Sequence, residues 1–413
     1  MKAFGVPHPQ PSKRSNANIA HDFLDLSFNL ESGRDLPILT RFEGPVTVRV
    51  TGHPTSNMAS DLNRLLHRLQ REAGIAINLT NDKTANITIE AVSRAEIRRN
   101  LPQAACFVVP NIDSLSQYRQ AKRSSRTNWT MLRKREKLAI FLPSDASPQE
   151  VRDCLHEELA QALGPLNDLY RLPDSVFNDD NMHLVLTGFD MMMLRLAYHR
   201  DLANGMTRAQ VATILPALLD RLNPAGRGGG PDTRAPMDRD WINATLRSAA
   251  MGQGYRTQRR AAQRALRIAQ NAGWQGLRLG VSHYFLSFFL PAESGAAMEH
   301  LTTAYQIFDR APGTEVQRAH VAARLASYAV YHNRPAHALR LLDRDIPTAR
   351  RAQNAELLAT MLLLRAEALD EAGRPNDARA QRLDSIGWAR YGMGTDTAVH
   401  AAVRDIAILN PLH

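Results

Sequence analysis

Between Asn223 and Pro236 the chain reads Asn-Pro-Ala-Gly-Arg-Gly-Gly-Gly-Pro-Asp-Thr-Arg-Ala-Pro. Proline removes a backbone donor and glycine leaves the backbone uncommitted, so neither helix nor strand persists at that density. The stretch divides the 413 residues into two parts, each long enough to bury its own core. Before it, strand and helix signals alternate; after it, strand signals vanish. The expected organisation is a flexible lead over 1–17, an α+β domain over 18–222, a linker over 223–236 and an all-α domain over 237–413.

Within the first part, Ile19, Phe23, Leu24, Leu26, Phe28 and Leu30 suggest a short helix docked on the body of the α+β domain. Val46–Thr51 alternates with period two and reads as a strand. Ser60–Ala73 carries Leu62, Leu65, Leu66 and Leu69 on one helical face. Further strands are expected at 75–79, 85–92, 105–109 and 138–142. Ser147-Pro148 with Glu150 supplies a helix cap and first turn. The result is a mixed sheet with a backing helix, leading directly into another helix.

That helix carries the chemistry. It reads Cys154-Leu-His156-Glu157-Glu158-Leu-Ala160-Gln161-Ala-Leu-Gly164-Pro-Leu-Asn167-Asp168. A zinc peptidase helix reads His-Glu-x-x-His because positions i and i+4 share a face, where two imidazoles hold the metal and the glutamate polarises its water. If His156-Glu157 open the motif here, the second ligand position is Ala160, which binds nothing. In the other register Glu157 and Gln161 replace the histidines and Glu158 takes the place of the base. Gly164 then falls where the helix of the extended motif breaks, and Asn167 or Asp168 falls at its third ligand. His156 lies about 100° around the helix from Glu157 and cannot share a face with Gln161. His183 and His199 are available from downstream, although a lone helical histidine is usually structural.

These residues, with Ser175-Val176-Phe177-Asn178-Asp179, resemble an uncharacterised bacterial family marked by a Glu-Glu-x-x-Gln-x-x-Gly-x-x-Asn-Asp helix in a zincin-like domain. The likeness covers roughly 18–222. It implies a zincin fold, with Phe177 supporting the site from below and a final helix bearing Asp190 and ending near Tyr198. It also implies an envelope location for relatives that carry a leader. On this reading Glu158 is the general base, and Glu157, Gln161, Asn167 and Asp168 are the metal ligands. The cofactor is zinc or none, since carboxylate and amide oxygens hold zinc less well than imidazole. The plainer account of Met191, Met192 and Met193 is core packing.

In the second part, Ala326, Asn333, Arg334, Pro335 and Ala338 recur as Ala366, Gly373, Arg374, Pro375 and Ala378, forty positions later. A turn flanked by small residues on two helices is tetratricopeptide-like, although the usual period is about 34. Helices over 256–273 and 295–310 are expected to extend the array. Such arrays commonly present a concave groove to a peptide or protein; the plain alternative is a helical domain that only stabilises its neighbour.

Net charge is +10, concentrated from Arg119 through Lys122, Arg123, Arg126, Arg133, Lys134, Arg135 and Lys137. This is either a nucleic-acid or anionic-lipid surface or a solvated loop; no nucleic-acid motif accompanies it, and Tyr118 and Trp129 are too few for a stacking platform. No apolar run reaches the roughly 20 residues of a membrane span. The first residues lack the apolar core of a signal peptide, which points to the cytoplasm, or to the envelope if a leader has been removed. Cys106 and Cys154 are equally readable as a disulfide or as two small buried side chains. The expected function is a zincin-like protein with a degenerate metal site that binds a peptide or protein through its cleft and helical repeats. The alternatives are an active zinc-dependent peptidase and a nucleic-acid-binding regulator.

Overall fold

A computed structural model describes residues 1–102, 104–178, 180–229, 238–250, 252–291 and 295–411. Met237, Asp179 and the expected linker from 230 onward lie outside the described residues. The N-terminal region is α/β. In chain order it comprises α1 (Asn16–Phe28), β1 (Val46–Gly52), α2 (Met58–Ala73), β2 (Ile77–Leu79), β3 (Ile87–Val92), α3 (Arg94–Asn100), β4 (Phe107–Pro110), α4 (Leu115–Ala121), β5 (Leu138–Pro143), α5 (Pro148–Leu163), α6 (Gly188–Ala197) and α7 (Arg208–Leu222).

The five strands form one sheet in the order β2-β1-β3-β5-β4. All neighbours are parallel except edge strand β4, which runs antiparallel to β5 with Phe107 opposite Phe141. Every residue of β5, Leu-Ala-Ile-Phe-Leu-Pro, is buried. A continuous apolar run of this kind belongs to a strand covered on both faces. On one face Ile87, Ile89, Leu138 and Ile140 meet Leu62, Leu65 and Leu69 of α2 and Leu155 and Leu159 of α5. On the other, Ala139 and Phe141 meet Ile97 and Tyr118, which lie on the short helices α3 and α4. Sequence patterning missed both helices. Each spans seven residues, too few for two turns of apolar periodicity, and each is set instead by a serine cap, Ser93 or Ser114.

The C-terminal domain is all-helical. Its described helices are α8 (Arg239–Ala249), α9 (Tyr255–Asn271), α10 (Leu277–Ser287), α11 (Gly295–Arg310), α12 (Glu315–Tyr331), α13 (Pro335–Arg351), α14 (Ala355–Glu371), α15 (Pro375–Gly392) and α16 (Asp396–Ala407). Successive helices pack as hairpins. The forty-residue repetition is the hairpin period. Asn333 and Gly373 close α12 and α14 with left-handed backbones, φ 52° and 73°. Arg334 N–H then donates to Ala329 O and Arg374 N–H to Leu369 O, at 2.8 and 2.9 Å. Pro335 and Pro375 open the next helices, where a missing N–H costs nothing. Ala326, Ala338, Ala366 and Ala378 are fully buried where the paired helices approach.

Residues 1–15 form no helix or strand, yet they are packed. Phe4 stacks on Trp388 at 4.5 Å, and Arg14 pairs with Asp22 and Asp174. The helical domain docks on the first turns of α5. Gln149 Oε1 accepts from the backbone N–H groups of Ala355 and Glu356, and Arg152 donates to Gln353. Tyr391 donates to Asp61 at 3.2 Å, and Gln317 donates to Asp180 at 2.8 Å.

Candidate functional site

Ser147 caps α5 by accepting from Glu150 N–H at 3.2 Å, with Pro148 in the first turn; the helix ends at Gly164. Its apolar side (Leu155, Leu159, Ala162 and Leu163) enters the main core. Glu150, Asp153, Glu157 and Gln161 stand at i, i+3, i+7 and i+11, a polar stripe along the opposite side. Two features hold the helix in place. Cys154 is joined to Cys106 by a disulfide, tying α5 to the residue just before β4. At the other end, Arg135 is buried and donates to three terminal carbonyls, Gln161 O at 2.6 Å, Ala162 O at 2.7 Å and Gly164 O at 2.5 Å. The guanidinium satisfies carbonyls that a helix end leaves without partners. Burial lowers its pKa to about 10.

Glu158 is buried, and its Oε2 has no hydrogen-bond partner. Burial, then the charges of Glu157, Glu31 and Asp153, push its pKa well above the usual carboxylate range. Gln161 and Asp168 both hydrogen-bond Glu31, and burial raises the Glu31 pKa against those bonds. Glu157, Glu158, Gln161 and Asp168 are therefore brought to one place. Asn167 is not: its Nδ2 donates to Asp25 O of α1 at 3.0 Å, and Leu166 N–H donates to Leu26 O. Its amide anchors the segment after α5 to α1.

Glu31 escaped the sequence reading. It sits on a turn after α1, closed by Leu30 N–H to Arg34 O and Leu36 N–H to Phe28 O, with Gly33 at φ 80°. No spacing relates it to α5; the only local signal is an acidic residue in a tight Glu-Ser-Gly turn.

His156 is buried, and its Nδ1 accepts from Leu186 N–H at 3.1 Å. Burial, with Arg152 and Arg68 nearby, keeps it neutral by pushing its pKa well down. His183 lies against Pro173 and near His320 of the helical domain, and His199 Nδ1 accepts from Asp201 N–H. Downstream, Asp190 accepts from Ser175 Oγ at 2.5 Å, Val176 N–H at 3.2 Å and Thr187 N–H at 2.7 Å. Burial still raises its pKa to about 6. Asn178 donates to Leu172 O, and Phe177, fully buried in the main core, accepts from Leu169 N–H. The Ser175–Asn178 motif is thus a turn locked to the start of α6. Met191 and Met193 are buried in the main core, and Met192 packs against it.

The basic stretch is less uniform than its sequence. Arg135 is a helix cap, Arg119 pairs with Glu96, Lys134 with Glu136 and Lys137 with Asp113. Tyr118 is buried against Phe107 and Phe141, and Trp129 lies under Arg135.

Among the described residues, no three of His, Cys, Asp and Glu come together as a group able to hold a metal ion. The donor chemistry fits zinc poorly in any case: the residues gathered here offer only carboxyl and amide groups, two of them hydrogen-bonded to a third. What they can do is hold protons and accept hydrogen bonds in a desolvated site.

Residues 16–217 match a family described as a protein of unknown function (DUF2927). The match opens with α1 and closes within α7, so it covers the α/β region and stops short of the helical domain. No curated protein and no solved structure matches the chain. Among the described residues no helix is long and apolar enough to cross a membrane.

Proposed function

We propose that the α/β region is a zincin-like scaffold that holds a polypeptide without cleaving it, and that the tetratricopeptide-like helical domain supplies the rest of the binding surface. The observation that carries this reading is the state of α5. Glu158 keeps a buried, unpartnered oxygen where a general base would stand, while Glu157 and Gln161 occupy the positions a zinc site gives to imidazole. The strand order, with its single antiparallel edge strand, supports the scaffold assignment, as does a helix that breaks at Gly164. The Cys106–Cys154 disulfide favours an oxidising compartment.

The second reading is an active metallopeptidase with Glu158 as base and Glu157, Gln161 and Asp168 as oxygen ligands. The free Oε2 of Glu158 is its support. One experiment separates the two. The full chain is incubated with an unfolded polypeptide such as reduced, carboxymethylated casein, with and without added Zn²⁺, and both retention and cleavage are followed. Retention without new fragments is expected, unchanged in Glu158→Gln. Zinc-dependent cleavage lost in Glu158→Gln overturns it in favour of the peptidase, and absence of both retention and cleavage overturns both.

A further inference from the structure

A cavity of about 1560 Å³ lies between the two regions, walled by the first two turns of α5 on one side and by α10, α12, α14 and α16 on the other. Small-molecule pockets run to roughly 300–1,000 Å³. This one is larger and opens to solvent, dimensions suited to a length of chain.

Its charge runs against that of the protein. The whole chain carries +10, yet the cavity wall holds six carboxyl groups and three guanidinium groups. Some of these answer each other: Arg94 pairs with Glu150 at 2.7 Å, and Arg390 with Asp396 at 2.9 Å. Asp145 caps the backbone N–H of Arg94 at 2.8 Å. Three remain. The side chains of Asp153, Glu356 and Asp405 make no hydrogen bond or ion pair among the described residues. Burial and the neighbouring Glu157 and Glu150 push the Asp153 pKa well up, and burial with Glu150 raises that of Glu356. A bound cation would reverse both penalties.

The helical side of the cavity, which carries Glu356 and Asp405, also carries aromatic side chains across from Asp153 of α5. Tyr284 and Phe288 meet edge to face at 4.9 Å, and Arg324 lies 3.9 Å over the Phe288 ring. Phe288 is 42% exposed, unusual for so large an apolar side chain. Unpaired carboxylates lining one cavity with the exposed Phe288, which is backed by buried Tyr284, suit a ligand that alternates cationic and apolar side chains.

We infer that this cavity is the docking site for an extended polypeptide segment bearing lysine or arginine between apolar residues. The inference rests on the polypeptide-binding reading above and names the partner's chemistry. Lysine or arginine heads meet Asp153, Glu356 and Asp405, and the intervening side chains pack on Tyr284 and Phe288. Asp153 continues through Glu157 to Gln161 on one face of α5, so the bound chain is led toward Glu158.

The test uses the full chain and a fluorescein-labelled dodecapeptide with lysine at every third position and leucine or valine between, followed by anisotropy. Binding that weakens with added salt is expected, and a peptide with glutamate for lysine should not bind. Glu356→Gln and Asp405→Asn should each weaken binding about tenfold, and Asp153→Asn combined with both should abolish it. Glu356 and Asp405 are exposed, so Glu356→Gln and Asp405→Asn keep the test valid if Asp153→Asn disturbs folding. Undiminished binding by Asp405→Asn and the triple variant overturns the inference. So does no binding by the parent chain, or displacement of the peptide by equimolar spermine, which would make this a small-cation site. A photo-crosslinker placed at Glu157 separates this inference from the reading beneath it. Loss of binding in the cavity variants without crosslinking at 157 leaves the cavity site standing and removes the α5 cleft. Crosslinking at 157 with unaltered binding by the cavity variants does the reverse.

Discussion

Arg135 shows how far a residue's role can lie from its sequence context. It sits in the most basic stretch of the chain, yet it is buried and its guanidinium closes the C-terminal end of α5. Truncating it would leave three helix-end carbonyls without a donor inside the protein. Arg135→Met is expected to cost about 3 kcal/mol of stability, measured by urea unfolding, whereas the exposed neighbour Arg133→Met should cost less than about 0.5 kcal/mol. Glu158 is the opposite case, a buried carboxyl with nothing to ionise toward. Its folded pKa is raised, so its contribution is fully present below the unfolded value and is lost as pH rises through the folded one. Glu158→Gln removes that loss. The variant should gain thermal stability relative to the parent at pH 9 and show no such gain at pH 4; an equal shift at both would refute the linkage.

At the scale of elements, the strands and helices such as α2 and α5 were legible from apolar period and cap, whereas α7, with Pro216 inside it, was not read. Val46–Thr51 alternates, α2 places its leucines on one face, and Ser147-Pro148 announces α5. The forty-residue repetition was legible for a related reason. A left-handed turn followed by proline admits few residues, so its chemistry survives in the sequence as Asn-Arg-Pro and Gly-Arg-Pro. The short helices α3 and α4 were not legible, since a cap and seven residues leave too little pattern. Two cysteines in one chain also left their pairing open, and only the approach of α5 to the residue preceding β4 decided it. Closing a loop of 48 residues restricts the unfolded chain, so replacing both cysteines by alanine should cost about 2–4 kcal/mol. Urea unfolding with and without reductant measures it, and the double variant should be insensitive to the reductant.

At the scale of the whole molecule, the two regions are joined by buried polar contacts, and these make their docking pH-dependent. Burial raises the Asp180 pKa to about 7, against the hydrogen bond from Gln317 of the helical domain. Its stabilising contribution is complete below the unfolded carboxylate pKa and declines as pH rises toward and through 7. Across the same interface, burial and nearby His183 depress the His320 pKa to about 4. That contribution is complete above the unfolded histidine pKa and is lost as pH falls toward 4. Asp180→Asn should therefore flatten the loss of stability on raising the pH from about 4 through 7, and His320→Gln the loss on lowering it from about 6.5 toward 4, in melting temperatures taken from pH 4 to 9. If both variants follow the parent profile, neither group controls the interface.

The sequence by itself determined the succession of an α/β region and an all-helical one, the alternation of strands and helices in the first, the helical repetition in the second, and the residues that α5 carries. All of these come from local rules of backbone freedom and apolar period. Tertiary structure alone decided which carboxyl groups meet. Glu31 reaches Gln161 and Asp168 from a turn more than a hundred residues earlier in the chain, Asn167 turns aside to α1, and the helical domain closes a cavity over the start of α5. The interaction of charges depends on distance in space and on burial, and neither is written in the spacing of residues along the chain.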